Sequence, residues 1–139
     1  MAFKINVSHN GKTFKVETEE EGLVGKSIGD TIDGKEISKD LEEYEIKITG
    51  TSDKSGFAGL PEISGPNLNK VLLGYGRGMH KKPKGEKKVN KRPKGLRLRK
   101  TVRGNEISSD TVQINTKVLK EGKKKFESLF EDSKEEKSE

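Results

Sequence analysis

Thirteen of the 29 Lys and Arg side chains of this 139-residue sequence fall within 27 consecutive residues, Arg77 to Arg103, with a single acid, Glu86, among them. They are Arg77, Lys81, Lys82, Lys84, Lys87, Lys88, Lys91, Arg92, Lys94, Arg97, Arg99, Lys100 and Arg103. At this density, ammonium and guanidinium groups are suited to neutralising closely spaced negative charge. A nucleic-acid backbone presents such charge in a regular array whose condensed counterions are released on binding. The stretch has a formal charge of +12, whereas the remaining residues hold 16 bases against 22 acids. Self-repulsion therefore predicts a basic arm on a mildly acidic body, extended until a polyanion neutralises it.

The other reactive side chains offer less. There is no cysteine, which excludes disulfides, thiolate metal sites and a Cys nucleophile, and fits a reducing compartment. His9 and His80 have no ligand-spaced neighbour, so no metal site is expected. Carboxylates such as Glu19 to Glu21 and Glu42-Glu43 lie in surface-like runs with no predicted pocket, so no catalytic residue is assigned. Gly25-Lys26-Ser27 is reminiscent of a phosphate loop, but position 20, where a P-loop needs glycine, is Glu. Gly74-Tyr75-Gly76-Arg77-Gly78 lacks the third glycine of a dinucleotide fingerprint and reads as a hinge. Asp53, in a Gly/Ser-rich loop, is expected to cap that loop's own amides. No cofactor and no small-molecule substrate is implied.

Within the arm, Pro83, Gly85, Pro93 and Gly95 oppose a helix of the kind that fills a DNA major groove. An irregular basic segment instead suits folded RNA, on which it would order as it binds. Arg97, Arg99 and Arg103 occupy alternating positions of a strand-like run and would place planar forks on one side, with Leu96, Leu98 and Val102 on the other or against the body. Tyr75 and His80 are candidates for base stacking, although so few aromatics cannot make stacking the main mode. The bland alternative is a solvated charge run. A membrane-surface role is disfavoured by the absence of a sustained apolar face or a lipidation signal.

These groups must be positioned by a small core, since Ile, Leu, Val and Phe number only 32 and the arm holds four of them. Phe3 to Val7 and Thr13 to Glu17 alternate apolar and polar around Asn10-Gly11, predicting a hairpin that buries Phe3, Ile5 and Val7 against Phe14 and Val16. Glycine-punctuated short strands follow over 22–34. Ile37 to Glu43 suggests one or two helical turns with Ser38 as cap, and Tyr44 to Gly50 a third strand. The Gly/Ser/Pro-rich loop 51–67 is expected either to pack on the body or to lie on the partner. Leu68 to Leu73 reads as a strand leading into the arm, and Asp110 to Asn115 as one returning to the sheet. Phe126, Leu129 and Phe130 recur at helical spacing, giving a short amphipathic helix from Lys123 to about Glu131. The fold class expected is mainly β: a small antiparallel β-barrel with a long basic extension and a short C-terminal helix. It would be laid out as body (1–76), extension (77–104), returning strands (105–122) and helix with tail (123–139). No apolar run is long enough to span a membrane, and the start of the chain contains no signal peptide, so a soluble, intracellular protein is expected.

At Asp53-Lys54-Ser55-Gly56-Phe57, the Leu68 to Leu73 strand and, above all, the basic run closing in Lys100-Thr101-Val102-Arg103-Gly104, the chain resembles the archaeal and eukaryotic small-subunit ribosomal protein six, the S-six-e family, over roughly residues 1 to 125. The resemblance implies a structural, non-catalytic constituent of the small ribosomal subunit in the cytoplasm, binding ribosomal RNA and neighbouring ribosomal proteins. Asp53, Lys54, Gly56 and Phe57 would form the family's signature loop, and Lys100, Arg103 and Gly104 the end of its RNA-contacting segment. Eukaryotic members continue into a long basic helix and a phosphorylated serine tail, whereas the Lys/Glu-rich end here points to the shorter archaeal form. The competing expectation is a free RNA chaperone or nucleoid-type binder acting off the ribosome. A nucleotide-using enzyme is the third.

Overall fold

A computed structural model describes residues 2–19, 21–81, 95–129 and 131. Phe3–His9 (β1) and Lys12–Thr18 (β2) pair antiparallel, with Ile5 opposite Val16 and Val7 opposite Phe14. Asn10 and Gly11 at the turn both have positive φ (47° and 76°), the combination that a two-residue type I′ connection requires. As the alternation predicts, Phe3, Ile5 and Val7 are buried, and Phe14 and Val16 pack on them half-buried.

Thr31–Asp33 (β3), Glu45–Asp53 (β4) and Thr111–Lys120 (β7) complete a five-stranded sheet in the order β2-β1-β7-β4-β3. Two features depart from the expected antiparallel barrel. β1 and β7 run parallel, with Ile5 beside Ile114. The sheet is also open, because closure would need β2 to meet β3, which supplies only three residues. The two strands outside this sheet, Leu68–Gly74 (β5) and Arg97–Arg103 (β6), pair with each other in a separate two-stranded ribbon. Register shifts at three places along β4 and β7 add twist without closing the sheet.

The core lies on one face of the five-stranded sheet. Ile5, Ile46, Ile48 and Ile114 meet Leu23, Ile37, Leu41 and Tyr44 from the irregular segments between β2 and β4. Ser38 accepts from the Asp40 amide and caps the 3-10 turn Lys39–Leu41, as its position suggests. Residues 126–129 are helical and bury Phe126 and Leu129 on this core. The Tyr44 hydroxyl donates to the Lys124 carbonyl and fixes the approach to that helix. Phe130 and residues 132–139 lie outside the described residues. Leu60, Met79 and Val102 are also buried but stand apart from the main cluster, beneath the β5–β6 ribbon.

Candidate nucleic-acid interface

β4 ends at Asp53, where the chain turns through Gly56 (φ +87°) to Phe57. Asp53 Oδ1 accepts from the Ser55 amide (2.9 Å) and the Phe57 amide (2.8 Å), the loop-capping role expected of it. Its other oxygen was not foreseen. Asp53 Oδ2 accepts from Arg103 Nε at 2.9 Å, Arg103 Nη1 donates to the Pro66 carbonyl at 2.9 Å, and Asp110 Oδ2 lies 3.7 Å from the same nitrogen. Lys54 closes the network 2.9 Å from Asp110 Oδ1. The Lys54 hydrogen bond and then its charge, with a smaller contribution from Arg103, hold the Asp110 carboxyl below its ordinary value despite some desolvation.

The backbone reinforces this clamp. The Arg103 amide donates to Ala58 O and the Arg103 carbonyl accepts from Leu60 N, a single parallel bridge that ties the loop to β6. Gly104 allows the approach: a Cβ there would sit 1.8 Å from Gly65 O. The 51–67 loop therefore packs on its own body, the first of the two expected alternatives. Two motifs about fifty residues apart, Asp53 to Phe57 and Lys100 to Gly104, are thus one structural unit.

This unit changes the role of Arg103. The sequence places it among the phosphate contacts, but its side chain is 11% exposed against a wholly buried Asp53 carboxylate. An arginine held by two internal partners is a bracket for the ribbon. Arg97 and Arg99 are exposed on the opened side of β6, as the alternation predicts, while Val102 is buried and Leu98 half-buried on the other side. Lys70 pairs across from Thr101 and Leu72 across from Arg99, so Lys70 joins the same cationic face. Neither Lys70 nor Asp110 was singled out from sequence. Lys70 was recoverable from the strand pattern, but nothing local marks Asp110 as a partner of Lys54 and Arg103.

Arg77, His80 and Lys81 are exposed at the root of the arm, around a tight turn closed by Gly76 N to Met79 O (2.9 Å) and Met79 N to Gly76 O (3.1 Å). The expected hinge is thus pinned by a buried methionine. Lys82, Lys84, Lys87, Lys88, Lys91, Arg92 and Lys94 lie outside the described residues. Between this turn, the 56–58 loop and the ribbon runs an open groove of about 710 Å³. Part of the stretch expected to stay extended is therefore folded, since 97–103 is β6.

The remaining sequence candidates have internal occupations. Lys26 binds Glu36 at 2.6 Å, and the Ser27 amide donates to Asp30, so Gly25-Lys26-Ser27 is a corner facing its own acids and not a phosphate loop. His9 sits 2.8 Å from Glu121 and edge-on to Phe126. No cluster of three or more potential metal ligands occurs among the described residues.

The sequence profile of the family described as Ribosomal protein S6e matches residues 1–131. The chain belongs to the S6e family. Among S6e relatives, the protein called small ribosomal subunit protein eS6 of Methanococcus maripaludis is 47% identical over 124 residues, covering 88% of this chain and 90% of that one. The protein of the same description from Methanocaldococcus jannaschii is 42% identical over 120 residues (86% and 82%). That of Methanothermobacter thermautotrophicus is 41% identical over 133 residues (94% and 96%). Two of the motifs that first suggested S6e, Asp53 to Phe57 and Lys100 to Gly104, are the two halves of the Asp53–Arg103 clamp.

Proposed function

We propose that the chain is a structural, non-catalytic constituent of the small ribosomal subunit, in the cytoplasm, where it binds ribosomal RNA and neighbouring ribosomal proteins. The observation that carries this is family membership over residues 1–131, among relatives described as small ribosomal subunit proteins. The charge distribution supports it: all but one of the acids lie outside the arm, and the arm holds 13 of the 29 cations within 27 residues.

The clamp gives the body a mechanical role. β5 and β6 pair from Leu68–Arg103 to Gly74–Arg97, so the two ends of the arm are held one strand spacing apart, about 5 Å. The 22 residues between Gly74 and Arg97 then limit its reach to roughly 35 Å from the ribbon. The ribbon fixes where the arm starts, and Arg77, Lys81, Lys82, Lys84, Lys87, Lys88, Lys91, Arg92, Lys94, Arg97, Arg99 and Lys100 supply phosphate contacts. If about half of them engage, log K for RNA falls against log salt with a slope of roughly −4 to −6.

Sucrose-gradient sedimentation of native lysate in moderate salt tests the reading. The protein is expected with small subunits. Recovery mainly in the light fractions would instead support a free RNA chaperone.

A further inference from the structure

The groove beside the ribbon carries a more specific assignment, which rests on the RNA-binding reading above. We propose that it receives a single unpaired nucleotide of the RNA, its phosphate held by Lys70 and Arg99, which share one face of the ribbon, and its base laid against Phe57 and His80. The volume, about 710 Å³, lies within the range of about 300–1,000 Å³ typical of sites that enclose a ligand of nucleotide size. Lys70, Arg99, Lys100 and Thr101 line it, and among the described residues no carboxylate does. Those cations also have no ion pair with any described residue, whereas Lys54 and Arg103 close by are neutralised internally.

The walls suit a base as well as a phosphate. Phe57 projects from a loop whose conformation is fixed by the two hydrogen bonds to Asp53. His80 stands edge-on to Tyr75 with ring centroids 5.8 Å apart. Gly56 and Gly78 occupy the left-handed region (φ +87° and +79°), and nothing lies within 4 Å of a Cβ position at Gly56. Glycine there leaves the groove mouth open for backbone approach. A duplex stretch of RNA keeps its bases stacked inside, whereas nucleotides in loops and bulges can be splayed out onto aromatic side chains. Because Lys70 and Arg99 stand on paired strands, they lose little freedom on binding. The nucleotide next to this groove would therefore be the one fixed point of an otherwise adaptable contact.

The test uses the full chain with transcribed small-subunit ribosomal RNA. Phe57→Leu is expected to weaken binding about ten-fold with the salt slope unchanged, and Phe57→Tyr, which keeps a stacking face, to restore it. Lys70→Ala with Arg99→Ala should reduce the slope by roughly 2. Ultraviolet cross-linking of the unmodified protein to the same RNA should label the peptides containing Phe57 or His80. Full affinity in Phe57→Leu, or cross-links confined to peptides outside the groove, would overturn the nucleotide site while leaving RNA binding intact. Tight binding of 5′-AMP alone would overturn it too, by making the groove a pocket for free nucleotide. Failure of the unmodified protein to bind the RNA would instead remove the proposed function and the groove assignment together.

Discussion

Replacing Arg103 with Ala should destabilise the fold far more than replacing Arg97, Arg99 or Lys100. The side chain is 11% exposed, and its partner Asp53 is wholly buried. Removal leaves Asp53 Oδ2 without its guanidinium and the Pro66 carbonyl without its donor. Breaking one side of such a buried pair costs about 3–5 kcal/mol, against a total stability of about 5–15 kcal/mol. With a urea m value near 1.5 kcal/mol/M, the midpoint should fall by about 2–3 M. Arg97→Ala, Arg99→Ala and Lys100→Ala remove side chains with no ion pair to a described residue, so each should move the midpoint by less than about 0.3 M. The effect on RNA should be the reverse: the three together flatten the salt dependence of binding by roughly 3. Equilibrium urea unfolding followed by circular dichroism, alongside salt-titrated filter binding, separates the two classes. If Arg103→Ala kept the midpoint of Arg99→Ala and lost RNA affinity instead, the assignment of Arg103 to the clamp would be refuted.

Two further outcomes follow from the same unit. Gly104→Ala places a Cβ 1.8 Å from the Gly65 carbonyl oxygen, a backbone atom that cannot rotate away, so the thermal midpoint should drop by more than 10 °C or the chain should fail to fold; an unchanged midpoint in calorimetry would contradict the close approach. The Asp110 carboxyl, held below its ordinary 3.8 chiefly by Lys54, contributes stability that is present above that value and lost as pH falls through the depressed folded-state value. In Lys54→Ala its NMR titration midpoint should move up toward 3.8 and the acid-side loss should shrink; an unmoved midpoint would mean that Lys54 does not set it.

Local patterns were legible where one segment contains its own answer. Asn10-Gly11 between two alternating runs specifies the first hairpin, because both the turn conformation and the buried face follow from neighbouring residues. Asp53 was recognisable as a loop cap for the same reason. What the sequence hid depends on partners remote along the chain. The parallel pairing of β1 with β7 joins residues 109 apart, Ile5 and Ile114 among them, and alternation alone does not say which strand lies beside which, or in what direction. A barrel and an open sheet accompanied by a ribbon have the same alternating strands. They differ in whether β5 and β6 join the main sheet, and here the arm between them makes them natural partners of each other. The internal pairing of Arg103 was hidden because an arginine in a basic run carries no local mark of an acid fifty residues upstream.

The two classes of cation explain why such a charge-dense stretch can be anchored at all. A strand bearing Arg97, Arg99, Lys100 and Arg103 repels itself and its own arm, yet β6 is paired along its whole length. Arg103 turns its end of the strand from a repulsive site into an attractive one, because Asp53 and Asp110 both face it, and the adjoining Val102 is buried beneath the ribbon. Stability is therefore concentrated at the body end of β6, and the cations without a described acidic partner lie toward the arm. Moving an acid to the arm end would help the isolated protein fold and harm its hold on RNA, since each internal ion pair removes a counterion-releasing contact. The position of the Asp53–Arg103 pair at the base of the ribbon keeps these two demands apart.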